Sequence, residues 1–179
     1  MKVLEKRKLN DSDEYGVFAT QFIKQGQRVF DHSEWIQDEQ TGWQVLSIDE
    51  IEKLFIDDKH KFLKYGYDKD FDKVIGTFNW ENAVHDSNFI NHNCEPNCGY
   101  DLNDNIIAVK DIEQGSELTL DYAHFIVNHD QAFTCNCGSE NCRTYILKDD
   151  WKELAYSIGF QFPTFMHPKL RELFNNRLC

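Results

Sequence analysis

Apolar and polar positions alternate in short runs over the first part of the chain. Tyr15-Gly16-Val17-Phe18-Ala19 and Arg28-Val29-Phe30 read as short strands separated by a turn at Gly26. Ser47-Ile48-Asp49-Glu50 has the spacing of a capping box, and Ile48, Ile51, Leu54 and Phe55 recur on one helical face. The pattern therefore predicts a helix from about Ser47 to Phe55, with that stripe in the core. Val74-Ile75-Gly76-Thr77-Phe78 reads as a strand. Gly99 to Leu102 and Ile106 to Val109 make a hairpin around Asn103-Asp104-Asn105, and Gly115 turns the chain into Glu117-Leu118-Thr119-Leu120. Toward the end, Asp149 or Asp150 heads a helix carrying Trp151, Leu154 and Ala155 that stops at Gly159. Pro168 opens a second helix with Leu170, Leu173 and Phe174. Both read as packing elements without chemistry of their own, and the sum is a mainly β fold with peripheral helices.

With 179 residues, no internal repeat, no low-complexity tract and only three prolines, one main core with appendages is expected and no interdomain linker is visible. The apolar stretches are far shorter than a bilayer span, and Met1-Lys2-Val3-Leu4-Glu5-Lys6-Arg7 is no secretion segment, so the protein is expected to be soluble, unprocessed and free of the membrane. A net charge of -12 repels duplex nucleic acid and draws in lysine- or arginine-rich partners. Part of that acidity lies in solvated runs such as Asp68-Lys69-Asp70-Phe71-Asp72, which serve solubility. Of six cysteines, three crowd into Cys135 to Cys142, which points to a thiolate metal site in a reducing, intracellular compartment, cytoplasmic or nuclear.

Three segments carry candidate chemistry. Cys135-Asn136-Cys137-Gly138-Ser139-Glu140-Asn141-Cys142 can bring three thiolates to a tetrahedral Zn2+ at about 2.3 Å each, with the loop turned at Gly138 and one corner left to fill. Cys94 or Cys98 would close it from far along the chain; Cys179 is a weaker candidate at the chain end. In Asn88-Phe89-Ile90-Asn91-His92-Asn93-Cys94-Glu95-Pro96-Asn97, Asn91 and His92 can offer amide, imidazole or backbone to a nucleotide-like molecule. Alone, the plainer reading is a structural turn whose Asn and His bond their own backbone. Gly115-Ser116-Glu117-Leu118-Thr119-Leu120-Asp121-Tyr122 is a turn and strand ending in an acid and a phenol; alone, such a tyrosine is a core ring with a wet hydroxyl.

In this order the three segments resemble a SET-domain protein lysine methyltransferase with its cysteine-rich post-SET loop. Asn91 to Asn97 is similar to the family's NHSCxPN with Asn93 in place of Ser, Glu117 to Tyr122 to its ELTxDY, and Cys135 to Cys142 to its CxCx4C. Tyr15 to Ala19 resembles the end of its GxGVFA strand, so the likeness runs from about Tyr15 to Arg143. The resemblance implies a knotted arrangement of small β-sheets in which the Asn91-His92 and Tyr122 segments thread together. It also implies a SET domain over 1–126 with a poorly matched insert at about 37–80, a post-SET zinc loop over 127–146 and a C-terminal helical extension over 147–179. Two departures stand out: Glu14 replaces the first Gly of GxG, and Asn88 replaces the Arg of RFINH, at the methionine end of the cosubstrate.

The activity implied is methyl transfer from S-adenosylmethionine to a lysine of a basic protein such as a histone tail. The cosubstrate would be held by Tyr15, Gly16, Asn91 and His92, with the loop from Phe133 to Asn136 closing over the adenine, and the lysine would enter from the opposite face through a narrow apolar channel. By resemblance Tyr122 is the catalytic residue, and Cys94 joins Cys135, Cys137 and Cys142 around a structural zinc, leaving Cys98 an ordinary thiol. Leu120, where many members carry Phe or Tyr, leans toward a pocket permissive of higher methylation. The rivals are a catalytically inactive interaction module on the same fold and a zinc-containing nucleic-acid binder, the latter disfavoured by the net charge of -12 and by the lack of a basic stripe.

Overall fold

The computed structural model describes residues 3–9, 14–36, 42–130 and 133–176. Residues 1–2 and 10–13, residues 37–41 of the expected insert, 131–132 of the expected zinc loop, and 177–179 with Cys179 lie outside them.

Four small sheets make the body. Strands β1 (Leu4–Lys8) and β2 (Tyr15–Ala19) pair antiparallel, Leu4 against Ala19 and Lys8 against Tyr15. β3 (Arg28–Phe30), β9 (Ile106–Ala108) and β8 (Cys98–Tyr100) form a second sheet in the order β3-β9-β8, which contains the expected hairpin. Val17, Ala19, Ile23, Cys98, Ile106, Ala108 and Leu118 lie at its heart, each at most 2% exposed. Among the described residues, no helix is long and apolar enough to cross a membrane.

The insert forms a sheet of its own, β4 (Gln44–Ser47), β6 (Lys73–Gly76) and β5 (Tyr67–Asp70), ordered β4-β6-β5. The capping box is present: Ser47 and Glu50 exchange side-chain and backbone hydrogen bonds at the start of α2 (Ile48–Glu52), which follows α1 (His32–Ile36). The helix expected to reach Phe55 instead stops at Glu52. Phe55 is extended (φ -62°, ψ 149°) and starts a second helix, α3 (Ile56–Leu63), so its ring is 84% exposed rather than buried. Ile51 does enter the core, with Phe62 and Val74. Gly76 permits the close approach of α3, since a Cβ there would stand 2.4 Å from the Phe62 carbonyl oxygen.

The expected strand Glu117–Leu120 is split between two partners. Glu117 bridges Phe18, and the Leu118 amide donates to Val17 O (2.7 Å), whereas β10 (Thr119–Leu120) runs parallel to β7 (Asn91–His92). This parallel pair is where the two motif segments meet.

At the C-terminal end, α4 (Trp151–Ile158) stops at Gly159 (φ 65°) and α5 (His167–Asn175) begins with Pro168 in its first turn. Asp150 occupies the N-cap position without capping; its carboxylate accepts instead from the Leu147 amide (3.1 Å). The helices build a second core from Trp151, Ala155, Phe162, Met166 and Leu170 against Val127, which agrees with a packing role.

Asp68 on β5 ties the insert to the chain leaving the sheets. It is 1% exposed; one carboxylate oxygen accepts from the amides of Val127 and Asn128, and the other faces His129 Nδ1 at 3.9 Å. Burial raises its carboxyl from 3.8 to about 6 despite those bonds. With the folded pKa above the unfolded one, its contribution to stability is complete below pH 3.8 and is lost as pH rises through 6. Asp68→Asn cannot ionise, yet its amide oxygen can still accept both bonds. Relative to the wild type it should gain on the order of 1–3 kcal/mol between about pH 4 and pH 7, read from urea midpoints. A constant difference between the two proteins across that range would contradict this.

Candidate active site and thiol cluster

The Asn91 to Asn97 segment holds the site together by reaching outward. Asn93 bonds the backbone of its own turn, accepting from the Glu95 amide (2.7 Å). The Asn91 amide donates to Tyr15 O (3.0 Å) and to Glu117 Oε1 (2.7 Å); that of Asn97 donates to Glu117 O (2.7 Å) while its oxygen accepts from the Thr119 amide (2.8 Å). The plain structural turn is thereby replaced by a hub that brings Tyr15, Gly16, Asn91 and Glu117 together. A Cβ on Gly16 would lie 2.5 Å from Glu117 Oε1, so glycine is what lets that carboxylate reach Asn91.

The imidazole of His92 is spent within the protein. Its side chain is 3% exposed, Nδ1 accepts from the Tyr122 amide (3.1 Å), and Nε2, which then carries the proton, lies 3.3 Å from Cys94 Sγ. Burial lowers its pKa to about 4 against the pull of Asp121, so the ring is neutral at physiological pH. What His92 can present to a ligand is its backbone.

Tyr122 follows β10 and opens a single 3-10 turn, Tyr122–His124, capped by the Asp121 carboxylate on the Ala123 amide (3.0 Å). Its ring packs against His92 (centroids 5.3 Å), Phe125 (5.3 Å) and, edge-on, Phe133 (6.2 Å), and its hydroxyl donates to Ile90 O at 3.0 Å. Burial, with the Glu117 carboxylate and Tyr65, holds the phenol above its ordinary pKa, so it is a donor and no base. Tyr122 lines a small cavity of about 70 Å3, shared with Leu120, Ile106, Phe125, Asn88 and Tyr65. Tyr65, from the turn between α3 and β5, was not legible in the sequence, because it lies in the insert, where no motif marks it.

The sulfurs of Cys94, Cys135, Cys137 and Cys142 lie within 4.8 Å of one another. Cys94 and Cys135 are 3.9 Å apart, close to the ~3.8 Å edge of a tetrahedron whose thiolates stand about 2.3 Å from zinc. The donor set fits a closed four-thiolate zinc site, so the cluster can bind zinc. Cys98 stays apart, fully buried, its thiol pushed up to about 12 by burial. Burial likewise raises the Cys135 thiol, whereas at Cys137 burial is outweighed by hydrogen bonds from Ser139 and neighbouring cysteines and the thiol is lowered. A second tie runs beside the cluster: the Arg143 amide meets Cys94 Sγ (3.4 Å), and its guanidinium pairs with the buried Asp121 carboxylate next to Tyr122. Arg143 received no role from the sequence, since a charged residue after a cysteine motif reads as surface. Phe133 is brought to Tyr122, but Asn136 stands exposed on the loop with its amide turned to Thr134 O (3.4 Å).

The SET domain family model matches residues 14–123, more than half of the chain. Among known proteins, the chain is 37% identical over 114 residues to the histone-lysine N-methyltransferase ASHR3 of Arabidopsis thaliana, covering 58% of this chain and 22% of that protein. It is 31% identical over 137 residues to the putative histone-lysine N-methyltransferase 1 of Plasmodium falciparum (isolate 3D7), covering 72% of this chain and 2% of that one. With the human histone-lysine N-methyltransferase 2B, identity is 37% over 84 residues, 43% of this chain and 3% of the relative. The chain thus spans under a quarter of the length of these relatives. The matched span takes in Tyr15-Gly16, the Asn91 hub, the parallel pair, Cys94 and Tyr122, while Cys135, Cys137 and Cys142 lie beyond it, and the chain belongs to the SET domain family.

Proposed function

We propose that the chain transfers methyl groups from S-adenosylmethionine to a lysine side chain of a basic protein such as a histone tail. The observation that supports this most is Tyr122, whose hydroxyl is fixed on the Ile90 carbonyl at a cavity walled by both apolar and polar groups, while the Asn91-His92 strand and Tyr15-Gly16 stand beside it. S-adenosylmethionine supplies an electrophilic methyl on a sulfonium. In this reading Tyr15, Gly16, Asn91 and the His92 backbone receive it, with Phe133 and Asn136 on the covering loop, while the lysine occupies the cavity.

A free lysine has a pKa of about 10.4, and walls such as Leu120, Ile106 and Phe125 disfavour its ammonium form. Tyr122 then orients the neutral amine in line with the methyl, and no strong base is needed. Asp121 is engaged by Ala123 and Arg143, and His92 by Tyr122, so neither is available to abstract a proton. Cys94, Cys135, Cys137 and Cys142 would hold a structural zinc whose four thiolates leave no corner for water, fastening the loop over the site.

On this reading the chain divides into a catalytic body to residue 126, a zinc-closed loop over 127–146 and a bracing helical extension over 147–179. It works in the cytoplasm or nucleus, where thiolates stay reduced, on basic proteins rather than nucleic acid. Leu120 lines the cavity and cannot hydrogen-bond the amine, which fits addition of more than one methyl. Leu120→Tyr should shift the product toward monomethyl-lysine, read by mass spectrometry; an unchanged product ratio would remove Leu120 from that role.

Glu14 and Asn88, which depart from the family pattern, favour the inert-module alternative. Calorimetric titration separates the two, since an inert module would not bind S-adenosylmethionine. Radiolabelled transfer from S-adenosylmethionine into a cell lysate and a histone mixture, followed by mass spectrometry of the labelled band, tests the activity itself. Binding without any labelled lysine would count against it.

A further inference from the structure

Lys6 lies opposite Val17 in the β1-β2 pair, on the same face as the buried Leu4, and is itself exposed at the end of that face. Its ammonium sits 3.9 Å from the centroid of the Phe89 ring and 5.2 Å from that of Tyr15. Phe89 follows Asn88, the position at which the resembled pattern has an arginine, and Tyr15 is the residue whose carbonyl Asn91 holds. Among the described residues Lys6 joins no ion pair, although the chain has 31 acidic residues against 19 basic ones. Neighbouring Arg7 points the other way, over Phe18, and is paired with Glu5.

A cation held over two rings, covered by them on one side and without a carboxylate, is set to take an anion from the open side. S-adenosylmethionine carries one such group, the carboxylate of its amino-acid end. We propose that Lys6, held over Phe89 and Tyr15, binds that carboxylate. The inference rests on the methyltransferase reading above. Lys64 is the competing cation, 3.9 Å over the Trp80 ring, but it stands on the insert side of the cavity.

The test is calorimetric titration of the full chain and its Lys6→Met, Lys6→Arg and Lys64→Met variants with S-adenosylmethionine and with its decarboxylated analogue. Methionine keeps the apolar contact with Phe89. The wild type should prefer the carboxylate form by about tenfold or more. Lys6→Met should lose that preference while its affinity for the analogue stays within about twofold, and Lys6→Arg and Lys64→Met should keep the preference. The proposal is overturned if the wild type shows no preference, if Lys6→Met keeps it or weakens both ligands alike, or if Lys64→Met abolishes it. A wild type that binds neither ligand would instead overturn the methyltransferase reading, and Lys6 with it.

Discussion

Tyr122→Phe should fold and bind S-adenosylmethionine as the wild type does while transferring methyl roughly a hundredfold more slowly or worse. The ring contacts with His92, Phe125 and Phe133 do not involve the hydroxyl, and the Tyr122 amide still reaches His92 Nδ1. Only the bond to Ile90 O is lost, a matter of about 1 kcal/mol to the fold. The hydroxyl is the polar group fixed nearest to where the amine and methyl would meet, so its loss is felt in orientation. Single-turnover transfer, thermal midpoint and cosubstrate titration on one preparation separate these effects. Wild-type transfer by this variant would remove Tyr122 from the reaction.

The second large effect concerns the cysteines. Cys94→Ser should lose most of its zinc, falling further than the roughly 10–100-fold that loss of an outer-shell partner costs, and should weaken cosubstrate binding with it. The reason is positional: Cys94 follows His92 by two residues and gathers Cys135, Cys137, Cys142 and the Arg143 amide onto the strand that meets Tyr122. Cys98→Ser should keep its zinc, because that thiol is fully buried and outside the cluster. Metal analysis of the two variants decides between them. Full zinc in Cys94→Ser with loss in Cys98→Ser would mean that the wrong cysteine was assigned.

Elements with strong local signals were legible in the sequence. The capping box at Ser47 and Glu50, the stop at Gly159, the start at Pro168 and the β8-β9 hairpin all formed as their residues dictate. The strand at Glu117 was legible, but its division between β2 and β7 was not, because pairing partners are set by tertiary structure rather than by alternation. Phe55 misled because helical periodicity does not reveal a chain that breaks and starts again between two short helices.

The site shows the same division. The cysteine spacing announced three members of the thiol cluster, while the choice of Cys94 over Cys98 needed the resemblance, and the sulfur geometry agrees with it. For His92 the sequence left ring and backbone both open to a ligand; the ring is turned to Tyr122 and Cys94, which leaves the backbone. Tyr65 and the Arg143–Asp121 pair left no local trace, because each acts only through a neighbour far along the chain.

The central proposition is that a tyrosine, an asparagine-histidine strand and a thiol-closed loop form one lysine-methylating site. Its most direct measurement is the mass of a histone mixture after a single turnover with S-adenosylmethionine, made with the zinc-loaded protein, after chelation, and after zinc is restored. Methyl groups on lysine nitrogen that vanish on chelation and return with zinc are predicted; unmethylated lysine beside a zinc-loaded, cosubstrate-bound protein, or transfer indifferent to chelation, would contradict it.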